Sequence, residues 1–185
     1  MKIVVGISGA SGAIYGIRLL EELRHKGVET HLILSDWGRK TIACETDYTV
    51  EEVIAKSDVF YDIDNMAAAV SSGSFRHDGM VVAPCSMKTL AAIASGYTDN
   101  LISRAADVSL KEQKKVILLT REAPLSMIHM ENMVRAARAG AVIFPPVPAL
   151  YNRPKTIDDI VNHTVSRVMD HLQIPNDLTK RWDGE

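Results

Sequence analysis

The chain predicts an α/β fold, a three-layer, doubly wound parallel sheet with helices on both faces. Short, almost continuously apolar runs alternate along it with segments of helical periodicity. Apolar runs without an alternating polar side are what strands buried on both faces require. Strands separated by helices must pair through crossovers, which makes the sheet parallel. The opening strand also runs into a turn of glycines and serines at a helix start, a Rossmann- or flavodoxin-like arrangement.

Lys2–Ile7 reads as the first strand, and Gly6, Gly9 and Gly12, with Ser8 and Ser11 between them, as the tight turn into a helix over Ala13–Lys26. Thr30–Leu34 is the second strand, followed by helices over Trp37–Cys44 and Val50–Ala55. Tyr61–Asp78, with its Ser71-Ser72-Gly73-Ser74 stretch, reads as a long loop. Gly79–Ala83 is the third strand, with helices over Met87–Ser95 and Asn100–Glu112 after it. Val116–Thr120 and Val142–Phe144 complete the strands, with a helix over His129–Ala139 between them. Pro145, Pro146, Pro148 and Pro154 make Phe144–Pro154 a stiff, extended connector, because proline lacks a backbone donor and excludes helix. The last helix spans Ile157–Leu172. The tail 173–185 is polar apart from its last aromatic, Trp182, and is expected to dock on its own domain or a neighbouring subunit.

At 185 residues the expectation is one domain over 1–185. Apolar residues make up 46% and charged residues 24%, as in a soluble globular chain. The net charge of −2 offers no footprint for nucleic acid. No apolar run approaches the roughly 20 residues of a membrane span. The start of the chain enters a strand directly, without a signal-peptide layout, so a cytoplasmic protein is expected. The two cysteines, Cys44 and Cys85, read as reduced thiols. The six histidines are scattered without metal-ligand spacing, so no metal is expected and most read as structural or exposed.

Free N–H groups and the helix dipole make the glycine turn an anion site, suited to the phosphate of a nucleotide or flavin. The alternative is a turn that merely reverses beside a packed helix. The spacing Gly6-x-x-Gly9-x-x-Gly12 departs from the dinucleotide pattern. Asp36, after the second strand, is placed to bind a ribose or to cap the next helix, and the cap is favoured. Ala83-Pro84-Cys85-Ser86-Met87-Lys88-Thr89 is a second strand-to-helix turn, either ligand-contacting or an ordinary serine cap. Two such turns would enclose a crevice at the strand ends. Arg104 and Lys111 are two helical turns apart, so they share a face with Asp107, which could pair with both. Arg121-Glu122 follows a strand end, where an arginine can grip phosphate and a glutamate can act as general acid; a loop ion pair is the plainer reading. Met127, Met130 and Met133 have helix spacing and read as core filler.

These residues, with Gly-Ala-Ser at 9–11, Glu45-Thr46-Asp47, Ser72-Gly73-Ser74, Pro84-Cys85-Ser86, Arg104-Ala-Ala-Asp107, Leu110-Lys111-Glu112, Arg121-Glu122-Ala-Pro, Ile128-His129-Met-Glu131-Asn132-Met133 and Arg181-Trp182, resemble the UbiX-like flavin prenyltransferases. The resemblance runs in order along essentially the whole chain. Ser71-Ser72-Gly73-Ser74-Phe75 and Cys85-Ser86-Met87-Lys88-Thr89 resemble the branch associated with phenolic and aromatic acid decarboxylases. The resemblance implies prenyl transfer from dimethylallyl phosphate to reduced FMN, across N5 and C6. The product, prenylated FMN, is the cofactor of a partner decarboxylase of the UbiD type. It also implies a trimer-based homododecamer.

By the same resemblance, Gly9, Ala10, Ser11, Ser35, Ser86, Met87, Lys88, Thr89 and Arg121 bind FMN. Arg104, Lys111, Tyr151 and Arg167 hold the dimethylallyl phosphate, with Ser72 nearby. Glu122 protonates the departing phosphate, Glu45 and Ser11 handle protons at the flavin, and Trp182 walls the prenyl chain. That assignment is chemically coherent. Breaking an allylic C–O bond leaves a phosphate anion, which three fixed cations can stabilise without a metal ion. It also leaves a carbocation, which an aromatic, water-excluding pocket can shelter. Two rivals remain: a flavin-dependent cysteine decarboxylase of the same fold, whose Pro-x-Met-Asn motif is missing here, and a non-catalytic FMN-binding subunit or carrier, which would not need the phosphate cations.

Overall fold

The computed structural model describes residues 1–182 and Gly184; Asp183 and Glu185, part of the tail expected to dock, lie outside the described residues. The elements in order are β1 (Lys2–Ile7), α1 (Ala13–His25), β2 (Glu29–Leu34), α2 (Asp36–Glu45), α3 (Val50–Ile54) and β3 (Val59–Asp62). Then follow a 3₁₀ turn (Ala69–Ser71), β4 (Gly79–Cys85), α4 (Met87–Ser95), α5 (Leu101–Lys111), β5 (Lys115–Thr120), α6 (Met127–Arg138), β6 (Ala141–Ile143) and α7 (Ile157–His171). The strands form one six-stranded sheet in the order β3-β2-β1-β4-β5-β6. Every pairing is parallel.

The chain winds outward from β1 through β2 and β3, then returns to the other side of β1 with β4. That reversal opens a crevice at the carboxyl ends of β1 and β4, where doubly wound sheets bind ligands. Side chains alternate across the sheet with the strand period of two. Ile3, Val5 and Ile7 pack with α1 and α7 on one face. Val4, Met80 and Val82 pack with α4 and α5 on the other. Each such fully buried aliphatic side chain contributes about 1.5–3 kcal/mol. No helix among the described residues is long and apolar enough to cross a membrane.

Four expectations are corrected. The segment read as a loop from Tyr61 begins inside an extra strand, β3, so the sheet has six strands. Val59–Asp62 is only partly buried at the sheet edge and lacks the apolar run of a central strand. The cap of α2 is Ser35, whose Oγ accepts from Gly38 N at 2.9 Å, while Asp36 is the first helical residue. Of the three methionines read as core, only Met133 packs against it; Met127 and Met130 are exposed at 65% and 41%. Helix α6 starts two residues earlier than its apolar period, because Ser126 caps it by accepting from His129 N.

The tail packs back on α7. Ile174 is buried, and Leu178 packs on the core. Arg181 donates to both carboxylate oxygens of Asp170, at 3.0 and 2.7 Å. That contact, above all, holds the Asp170 carboxyl below its usual range.

Candidate active site

The glycine turn and the α4 turn are tied together by one buried hydroxyl. Ser8 Oγ donates to Pro84 O and accepts from Ser86 N, both at 2.8 Å. Sequence reasoning noted Ser8 only as part of the turn. Gly9 has no room for a side chain, since a Cβ there would stand 2.2 Å from Trp37 Cβ. This close approach brings the start of α2 against the turn, and the two together form one wall of a cleft.

The cleft has a volume of about 440 Å³, within the range of about 300–1,000 Å³ usual for small-molecule sites. Gly9, Ser35, Ser86, Lys88 and Thr89 line it. Trp37, Ile63 and Ile102, which sequence reasoning did not single out, supply apolar wall. Ser86 caps α4, accepting from Thr89 N at 3.2 Å and donating to Thr89 Oγ1 at 3.0 Å. The turn is a serine cap that also lines the cleft. The Thr89 hydroxyl, already accepting from Ser86, has its own proton to give to a ligand. Met87 turns toward the second core instead. Arg121 N donates to Cys85 O at 3.2 Å, which fixes the end of β5 beside this turn.

The anion position at α1 is filled from within the chain. Gly12 N donates to Glu45 Oε2 at 2.7 Å. A carboxylate is favourable at a helix N-terminus, and Glu45 supplies one at the start of α1. A second helix start, that of α4, carries Lys88 in its first turn.

A second group forms where α5 meets the loop of Ser71–Ser74. Arg104 Nε donates to Ser71 O at 3.1 Å. A Cβ on Gly73 would lie 3.0 Å from Lys111 Nζ, so the loop backbone runs directly over that ammonium. Asp107 does not pair with both cations: it pairs with Arg104 at 3.1 Å, and Lys111 pairs with Glu112 at 2.8 Å. The Lys111 contact lowers the Glu112 pKa. All four groups are partly open to solvent, so these pairs are weak and can exchange for an anion.

A third group lines a pocket of about 220 Å³ with Tyr151, Arg167 and Trp182. Arg167 pairs with Asp170 at 3.1 Å. Trp182 meets the Tyr151 ring edge-on, 5.8 Å between centroids. Glu122 stands alone after β5: its Oε1 accepts from Ala123 N at 3.0 Å, and among the described residues it makes no ion pair with Arg121. No hydrogen bond or ion pair among the described residues joins the third group to the other two.

Comparison with known proteins shows the family. Residues 1–169 match the family model described as Flavoprotein. "Flavin prenyltransferase UbiX" of Thauera aromatica is 52% identical over 184 residues, covering 100% of this chain and 95% of that one. The chain belongs to the UbiX-like flavin prenyltransferases. Its activity is therefore prenyl transfer, and its fold is that of solved members. A crystal structure of AnUbiX (PadA1) in complex with FMN and dimethylallyl pyrophosphate superposes with a TM-score of 0.98 at 53% identity, covering 100% of this chain and 98% of that one. A dodecameric FMN-dependent UbiX-like decarboxylase from Escherichia coli O157:H7 has a TM-score of 0.97 at 51% identity, with both chains fully covered.

Proposed function

We propose that this flavin prenyltransferase joins the dimethylallyl group of dimethylallyl phosphate to reduced FMN, giving prenylated FMN for a UbiD-type aromatic acid decarboxylase. What supports the proposal is two separate groups of residues suited to bind an anion. One is the Ser86–Thr89 turn of the cleft, and the other is the Arg104–Lys111 face under the Ser71–Ser74 loop. A flavin carrier needs only the first; a transferase with a phosphorylated donor needs both.

The cleft residues fit a flavin nucleotide. The hydroxyls of Ser35 and Thr89 and the ammonium of Lys88 suit its phosphate, and Trp37, Ile63 and Ile102 suit its ring. Asp36, Asp64 and Asp99 line the same cleft and repel a phosphate, which favours the α4 end for it. Gly9 lines the cleft and Ala10 and Ser11 continue its turn, Met87 supports the α4 turn from the core side, and Arg121 adds a cation at the end of β5. Bound there, reduced FMN supplies the nucleophilic N5 and C6.

The other residues act on the donor. Arg104, Lys111 and Arg167 balance the charge that builds on the phosphate as the allylic C–O bond breaks and its electron pair leaves with oxygen. Tyr151 donates to the phosphate, Ser72 closes on it from the loop, and Glu122 gives the proton that phosphate takes away. Glu45 and Ser11 carry protons at the flavin edge. Trp182 faces the prenyl chain, keeping water from the cation.

The Tyr151–Arg167–Trp182 group completes the site from a neighbouring copy in a homododecamer built of trimers. Exposed Met127, Ile128, Met130 and Val134 on α6 give such an assembly apolar surface to cover. The test is anaerobic incubation with reduced FMN and either dimethylallyl phosphate or dimethylallyl diphosphate, followed by a mass spectrum of the flavin. The expected result is a gain of one prenyl unit with the monophosphate. An unchanged flavin mass with both donors overturns the proposal.

A further inference from the structure

Tyr151 rests on a buried histidine that the reaction above does not use. Tyr151 Oη lies 2.9 Å from His163 Nε2, and the two rings cross at 81° with centroids 5.6 Å apart. His163 is 9% exposed, whereas Tyr151 is 51% exposed and opens onto the pocket it shares with Arg167 and Trp182. A phenol–imidazole hydrogen bond runs in one of two directions. If the phenol donates, only lone pairs of its oxygen face the pocket, and these repel a phosphate. If the imidazole donates, the phenol keeps its proton for a phosphate oxygen.

The surroundings of His163 decide between the two. Burial, and after it the charge of Arg167 one helical turn along α7, push the His163 pKa below its ordinary value. The ring is therefore neutral at pH 7, with one N–H. Its Nδ1 has no hydrogen-bond partner among the described residues. A proton on Nδ1 would have no acceptor on the protein, while a proton on Nε2 meets Tyr151 Oη and leaves only a lone pair without a protein partner. Tautomers follow from such network arguments.

We infer that His163 is a positioning residue for the prenyl donor: its Nε2–H donates to Tyr151 Oη and so directs the phenol proton at a phosphate oxygen in the Tyr151–Arg167 pocket. This inference rests on the reading that Tyr151 meets the donor's phosphate. His163 transfers no proton and touches no substrate; it fixes which way Tyr151 points its hydrogen.

The test compares the unaltered enzyme with His163→Phe, His163→Gln, Tyr151→Phe and the Tyr151→Phe/His163→Phe pair, measuring kcat and KM for dimethylallyl phosphate at saturating reduced FMN. His163→Phe is expected to raise KM about tenfold, the worth of one hydrogen bond to a charged group, with a smaller change in kcat. His163→Gln, whose amide N–H can still donate to Tyr151, is expected to recover most of that loss. Rescue by a polar residue but not by an aromatic one separates this role from core packing. In the Tyr151→Phe background, His163→Phe is expected to add nothing. Unchanged KM in His163→Phe, or a fully additive loss in the double variant, overturns the inference while leaving Tyr151 in place. Wild-type kinetics for Tyr151→Phe alone overturns the reading beneath it, and the inference with it. If His163→Phe does not assemble, ¹⁵N solid-state spectra of the histidine-labelled native enzyme, assigned by difference with His163→Gln, report the tautomer directly: Nε2–H supports the inference and Nδ1–H overturns it.

Discussion

Replacing Ser8 with alanine removes one hydroxyl and unties the two turns that frame the cleft. Ser8 is 1% exposed, and its Oγ serves Pro84 O and Ser86 N together. Pro84 O keeps a second partner, the backbone N–H of Ser8 at 3.2 Å. The loss therefore falls on Ser86 N–H, a donor stranded in a part-buried turn. A stranded donor costs about 1–3 kcal/mol. For a chain of this size, each kcal/mol lowers the melting temperature by about 2–4 °C, so the expected fall is about 2–12 °C. The assay is thermal unfolding at one fixed protein concentration, because assembly makes the midpoint concentration-dependent. Ser95→Ala is the control: its exposed hydroxyl only bonds back within its own helix, to Ala91 O and Ala92 O, and its loss should stay within about 0.5 kcal/mol. Ser8→Ala should also weaken FMN binding, since it frees the Ser86 cap to drift. If Ser8→Ala melts with Ser95→Ala and binds FMN like the unaltered protein, the coupling of the two turns is refuted.

Other predictions concern charge and protons. Glu122→Gln should leave FMN binding intact and slow flavin alkylation by about 10²–10⁴-fold, the range for a lost general acid; equal rates remove Glu122 from that role. Glu45→Ala removes the acceptor at Gly12 N and should cost about 0.5–2 kcal/mol, as a lost helix cap does, whereas Glu45→Gln keeps an acceptor and should cost less in a urea titration. Equal losses would contradict the capping contact. Burial lowers the His77 pKa below 6.5, so in the window below 6.5 the unfolded chain binds more protons than the folded one. Stability contributed by neutral His77 is full above that window and is lost as pH falls through it. The urea midpoint should drop from pH 7 to pH 5, and less steeply in His77→Gln; parallel curves would refute the assignment.

The central strands were legible because burial on both faces leaves unbroken apolar runs. Lys2–Ile7 and the helix Met87–Ser95 stand in the structure with the bounds their residues imply. The edge strand β3 was not legible, because a half-buried strand of four residues carries neither a long apolar run nor a clear alternation. At the start of α2, Ser35 and Asp36 are both good caps by type, and only the backbone geometry decides for Ser35. Met127 and Met130 have helix spacing, but spacing identifies a face and not what covers it. The cleft residues adjoin strand ends, where topology alone brings them together. In the sequence His163 is one of six scattered histidines that read mostly as structural or exposed. A lone histidine in a sequence has no partner until the proline-rich connector folds Tyr151 over it.

Coupling between the two proposed anion places is read by a single-turnover experiment as phosphate released per flavin alkylated. The enzyme is mixed anaerobically with dimethylallyl phosphate, with or without reduced FMN, and both inorganic phosphate and alkylated flavin are quantified. One phosphate per alkylated flavin, with none released when reduced FMN is omitted, is the predicted result. Phosphate release that proceeds equally without the flavin would contradict it.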